Sequence, residues 1–130
     1  MPSDGSPAAK KSVFIVEDDT ALLSMLANML AAKGIEVLKA EDGSDGLNRI
    51  PKEKPDLLII DIDLPKLSGT TMLRELRERG CMIPAMVLTN SSHQINVANA
   101  TELGVKEYLV KADWEIDQVV EKILGHLKLS

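Results

Sequence analysis

The run Leu57-Leu58-Ile59-Ile60, closed by Asp61, decides the fold of this chain. Four consecutive large apolar residues leave no face for water, so the run reads as a strand buried on both sides rather than the alternating strand of a half-exposed sheet. It ends on a carboxylate. An acid at the tip of a buried strand is desolvated, and repelled by neighbouring acids, unless something positive lies between them. Upstream, Val13-Phe14-Ile15-Val16 repeats the pattern and closes on Glu17-Asp18-Asp19. A divalent cation would satisfy both tips.

Outward from these two strands, apolar runs and helical patterns alternate. Leu22, Met25, Leu26, Met29 and Leu30 have the i, i+3, i+4, i+7, i+8 spacing of a one-sided helix that stops at Gly34, with both methionines expected in the core and Asp19 or Thr20 as cap. Val37-Leu38 gives a short strand. Ser44 is the expected cap of a brief helix through Leu47 and Ile50, closed by Pro51 and Pro55. Beyond Pro65 a helix passes through Met72, Leu73 and Leu76 to Gly80. Residues 85–88 form the next strand, residues 94–103 a polar helix, and Tyr108-Leu109-Val110 the last strand. A final helix, expected to start at the cap Asp113, carries Ile116, Val119, Val120, Ile123, Leu124 and Leu127 on one face.

Five apolar strands alternating with five helices predict an α/β fold, a doubly wound parallel sheet covered on both faces. Ligands in such folds bind at the carboxyl ends of the strands, which gathers Glu17, Asp18, Asp19, Asp61, Thr89 and Lys111 into one expected site. Taken singly, each of these residues reads as a helix cap, a turn residue or a surface lysine; only the constellation points to chemistry.

Length and charge bound the rest. The chain has 130 residues, enough for one well-filled core and too few for two ordinary domains. Residues 1–12, rich in Pro, Ser, Gly and Ala, are expected to be a disordered lead-in, leaving 13–130 as the domain. A formal net charge of −5 without a basic stripe argues against nucleic-acid binding, and Lys10-Lys11 and Lys52 to Lys54 read as solvated surface. Cys81 is the only cysteine, which fits a reducing compartment; no run is long enough to span a membrane and no signal peptide precedes the domain, so the expected location is cytoplasmic. His93 and His126 read as exposed polar residues, and Trp114 as an aromatic cover over the sheet end.

In this order and at these strand ends, Glu17-Asp18, Asp61 with Pro65, Thr89 and Lys111 resemble the receiver domains of two-component response regulators, over nearly all of residues 13–127. The resemblance implies a flavodoxin-like sheet of order 2-1-3-4-5 with five helices. It implies Asp61 as phosphoacceptor, Glu17 and Asp18 as the acidic pair that holds Mg2+ directly or through water, and Asp63 as the residue whose backbone carbonyl faces the metal. Thr89 would be the hydroxyl switch, Lys111 the cation that grips the phosphoryl group, and Tyr108 the aromatic ring that changes its burial on activation. The implied partners are a histidine kinase or phosphotransfer protein and a downstream target protein, with no nucleic acid and no membrane. The expected state is a monomer or a weak phosphorylation-dependent dimer. Such a protein is no turnover enzyme for an external substrate; it catalyses its own phosphorylation and dephosphorylation. With no room for an output domain after the last helix, a stand-alone receiver is expected. Two positions depart from the family: Ala112 follows Lys111 where proline after a cis peptide is usual, and Asn90 follows Thr89 where Ala or Gly is usual. The Lys111-Ala112 peptide is expected to be trans, since a non-proline cis bond costs about 2.5–4 kcal/mol.

Two other readings compete. Residues 57–70 also resemble the first motif of haloacid-dehalogenase-type phosphatases, with Asp61 as nucleophile and Asp63 as general acid, and Leu88-Thr89-Asn90 their second. The acidic strand end before Asp61, Pro65 and the lack of room for a substrate-sealing cap favour the receiver. A receiver-like interaction module that never takes phosphate is the third reading.

Overall fold

The computed structural model describes residues 10–128. Five parallel strands, β1 (Ser12–Val16), β2 (Glu36–Ala40), β3 (Leu57–Ile60), β4 (Ala85–Thr89) and β5 (Glu107–Val110), form one sheet of order β2-β1-β3-β4-β5. The helices are α1 (Thr20–Ala32), α2 (Gly43–Glu53), α3 (Gly69–Glu78), α4 (Gln94–Glu102) and α5 (Ile116–Leu127), with a single 3-10 turn at Lys111–Asp113. This is the expected doubly wound architecture. β1 starts at Ser12, inside the lead-in expected over residues 1–12, of which residues 1–9 lie outside the described residues.

Strand alternation divides the core. Val13 and Ile15 of β1, with Leu57 and Ile59 of β3, pack under α1 and α5; Phe14, Val16, Leu58 and Ile60 point the other way, under α2 and α3. The central strands therefore bury both faces, which is why their sequences carry no polar alternation.

Three local expectations give way. On α1 the buried stripe is Leu23, Leu26, Ala27 and Leu30, while Met25 is 51% exposed. The helix is apolar nearly all round, so its spacing fits two adjacent stripes, and contact with the sheet and α5 selects one. On α2 the cap is Asp42, whose Oδ1 accepts the Asp45 N–H at 2.7 Å, rather than Ser44; Pro51 lies inside the last turn, and the helix runs to Glu53 before Lys54 ends it at φ 50°. α5 is capped at Glu115, not Asp113: Asp113 closes the 3-10 turn, and the Gln118 Oε1 accepts the Glu115 N–H at 2.8 Å. Asp19 does cap α1, accepting the N–H groups of Ala21 and Leu22. There is no cis peptide among the described residues, so Lys111-Ala112 is trans as expected.

Candidate functional site

The sheet hydrogen bonding runs on past two strand ends and carries the acids with it. The Glu17 N–H donates to the Ala40 carbonyl and the Asp61 N–H to the Val16 carbonyl, both at 3.0 Å, so both acids are held by the ladder rather than by a free loop. The two residues are 2% and 4% exposed, which makes them the most deeply buried acids of the described chain.

Lys111, at the end of β5, resolves the resulting repulsion. Its Nζ lies 2.9 Å from Glu17 Oε1 and 2.9 Å from Asp61 Oδ2. The remaining oxygens are satisfied by backbone: Glu17 Oε2 accepts the Asp19 N–H at 3.0 Å and Asp61 Oδ1 the Asp63 N–H at 3.1 Å. Burial pushes the Glu17 carboxyl above its ordinary value, more than the bonds from Lys111 and Asp19 lower it, and the nearby Asp61 charge adds to the rise. Burial by itself would lower Lys111, but its two acidic partners outweigh it and hold the ammonium above its ordinary value.

Asp18 is exposed, and Glu17, Asp18 and Asp61 each offer a carboxylate oxygen within 4.8 Å of the others. The donors are all hard oxygens, two buried and one open to solvent, which suits a cation that keeps part of its water shell. With all three ionised, a single lysine leaves two negative charges in excess.

Thr89 ends β4 with no solvent exposure. Among the described residues its hydroxyl bonds neither Asp61 nor Lys111; it accepts the Ser91 N–H at 3.4 Å. Tyr108 reaches the same residue, donating its hydroxyl to the Ser91 carbonyl at 2.8 Å. Burial pushes the phenol above its ordinary value, so it remains a donor at neutral pH. Ser91 thus joins two positions that the sequence reading had treated separately, and nothing in the sequence reading singled it out. Gly69 was also missed: a Cβ there would lie 2.0 Å from the Asp61 carbonyl oxygen, so only glycine lets α3 start this close to the acid. The signal was present, a glycine directly after the helix cap Ser68. Trp114 does cover the sheet end, against the α1 and α5 core, with the Lys122 Nζ 5.0 Å from its ring centroid. His126 corrects its reading as an exposed residue: it is partly buried, with Nε2 2.9 Å from Glu107 Oε1, whereas His93 is exposed.

Comparison with known proteins matches residues 13–124 to the response regulator receiver domain. The chain belongs to that family. The receiver is 32% identical over 122 residues to the alkaline phosphatase synthesis transcriptional regulatory protein PhoP of Bacillus subtilis, an alignment covering 92% of this chain and 51% of PhoP. Among solved structures, a CheY-like receiver domain protein from Methanospirillum hungatei superposes with a TM-score of 0.85 at 28% identity, over 92% of this chain and 95% of that one. The Mn2+-bound form of response regulator Rcp1 superposes with a TM-score of 0.77 at 27% identity, over 88% and 92%. Family membership sets aside the haloacid-dehalogenase reading. The receiver spans about half the length of PhoP, a transcriptional regulator, so the expected absence of nucleic-acid binding extends only to this domain's own acidic surface. No helix among the described residues is long and apolar enough to cross a membrane.

Proposed function

We propose that this receiver takes a phosphoryl group from the phosphohistidine of a histidine kinase or phosphotransfer protein onto Asp61, with Mg2+ held by Glu17, Asp18 and Asp61, and converts the new charge into an altered protein-binding surface. The observation that carries this reading is Lys111 bridging the two buried acids at 2.9 Å. An Asp61 oxygen attacks phosphorus in line, the P–N bond to the donor imidazole breaks, and the imidazole leaves with the electron pair. A carboxylate suffices as nucleophile because the donor is already activated. When bound, Mg2+ supplies neutralisation of the phosphoryl oxygens and of the excess acidic charge. A similar response regulator, Rcp1, has an Mn2+-bound form, which supports a divalent ion as a ligand of this fold.

Once Asp61 carries the phosphoryl group as a mixed anhydride, Lys111 exchanges its carboxylate partner for the phosphoryl oxygens, and the Thr89 hydroxyl, an acceptor from Ser91 at rest, is available to donate to them. Output then passes to a target protein. The reading places the receiver in the cytoplasm, acting on its own phosphorylation state rather than turning over an external substrate.

Intact-mass measurement with acetyl phosphate and Mg2+ tests it. One added phosphoryl group is expected in the wild type, none in Asp61→Asn and none after chelation. Undiminished labelling of Asp61→Asn would move the acceptor elsewhere, and a wild type that never labels would leave the phosphorylation-independent module as the better reading.

A further inference from the structure

A cavity of about 630 Å3 opens between α3 and α4, and its lining is mostly polar. Thr70, Thr71 and Arg74 line it from α3, Asn96 and Asn99 from α4, and Asp63 from the loop after β3. The i, i+3 and i, i+4 spacings place each set on one face of its helix. Closing the two helices together would bury these hydroxyls and amides, and α4 buries only Ala100. Three of the lining groups lack partners. Thr70 Oγ1 is buried and bonds nothing, a costly state for a hydroxyl. Among the described residues the arginine ion pairs belong to Arg49 and Arg79 and the arginine hydrogen bonds to Arg49 and Arg77. Arg74, although half-buried, therefore has neither. The Asp63 carboxylate is in no ion pair either, only its N–H being engaged, with Asp61. A cation and an anion thus line one cavity without pairing.

We propose that this cavity binds a small zwitterion of the amino-acid or dipeptide class, its carboxylate on Arg74 and Thr70 and its ammonium toward Asp63. The planar fork of an arginine matches one carboxylate with two parallel bonds. The Thr70 hydroxyl adds a donor, and its place in the first turn of α3 adds the favourable field of a helix N-terminus. One guanidinium opposed by one carboxylate disfavours phosphates and polyanions, which Asp63 repels, and selects a ligand carrying both signs of charge. The other lining groups suit amides. Asn96 gives its Nδ2 to Ser91, which leaves Oδ1 as an acceptor, and Thr71 Oγ1 accepts from Ser68, which leaves its proton to donate. The volume falls in the range of small-molecule sites, whereas the polar lining is unlike that of sites for apolar ligands. Binding here requires neither metal nor phosphate at Asp61.

Nuclear magnetic resonance titration of the full, metal-free and unphosphorylated chain decides it, with L-glutamine and glycylglutamine as probes. At least one of them should shift the signals of Thr70, Thr71, Asn96 and Asn99 with a Kd of about 1 mM or tighter. N-acetylglutamine, which lacks the ammonium, glutaminamide, which lacks the carboxylate, and inorganic phosphate should each bind about tenfold more weakly or worse. Arg74→Gln should weaken the zwitterion by about tenfold or more. Thr70→Val keeps the shape, removes a hydroxyl that has no partner in the free protein, and should weaken binding without lowering the melting temperature. The inference is overturned if neither zwitterion gives saturable shifts up to about 10 mM. Equal binding of a control compound, or undiminished binding to Arg74→Gln, overturns it as well. No phosphodonor is used, so a failure of Asp61 to label would count against the proposed function and leave this result readable on its own.

Discussion

Lys111 Nζ and Asp61 Oδ2 meet at 2.9 Å across 50 positions of sequence, and the same nitrogen lies equally close to Glu17 Oε1. One cation shared by two buried carboxylates makes the resting site a balance that loses its centre if the lysine goes. Partners of this kind contribute little as a pair, yet stranding the survivors is expensive.

Lys111→Met should therefore destabilise the fold by about 3 kcal/mol in metal-free buffer, the cost typical of leaving buried charge uncompensated. Mg2+ should restore part of the loss, because the acids left behind are its proposed ligands. Urea melts with and without Mg2+ measure both. A variant as stable as wild type in chelator would show that the two acids do not depend on Lys111.

Glu17 titrates above its ordinary 4.5, so the native state binds that proton more tightly than the unfolded chain does. Stability then falls as pH rises from the unfolded value through the folded one, and levels off above it. Glu17→Gln removes this term. In magnesium-free melts, wild-type stability relative to Glu17→Gln should decline across that window and stay constant beyond it. A wild type that gains on the variant over the same range would contradict the sign. Lys111, held above its ordinary 10.5, contributes stability that is complete below that value and disappears only as pH rises past its folded pKa.

Gly69→Ala should cost about 3 kcal/mol, at the upper end for overpacking, since the added Cβ meets the backbone oxygen of Asp61 rather than a side chain that can move aside. The same shift displaces the acid, so acetyl phosphate labelling should slow along with the loss of stability. Wild-type melting and labelling together would mean that α3 can retreat without consequence.

The Asp61 phosphoryl group should be long-lived for a receiver. On the proposed function, Asn90, exposed beside Thr89, would crowd the in-line approach of water more than Ala or Gly, and the exposed Asp63 would add like charge beside the phosphoryl group. Both Asn90→Ala and Asp63→Asn should speed the first-order loss of phosphate. Slower loss in Asn90→Ala would instead mean that the amide positions the attacking water.

The sequence by itself determined the succession of elements, the parallel sheet and the identity of the acids and lysine at the strand ends. Buried strands need continuous apolar runs, and a ligand rule tied to strand ends needs no coordinates to be applied. Only the tertiary structure decided which stripe of α1 is buried, that Glu115 rather than Asp113 caps α5, and that Glu17 and Asp61 divide one ammonium between them. The same holds for Ser91 and Gly69. Their roles depend on backbone carbonyls and amides brought close by packing, and a backbone group carries no residue-specific mark in a sequence. Periodicity records what a segment must bury; which neighbour it meets there is set by the sheet order and by the distances that folding closes.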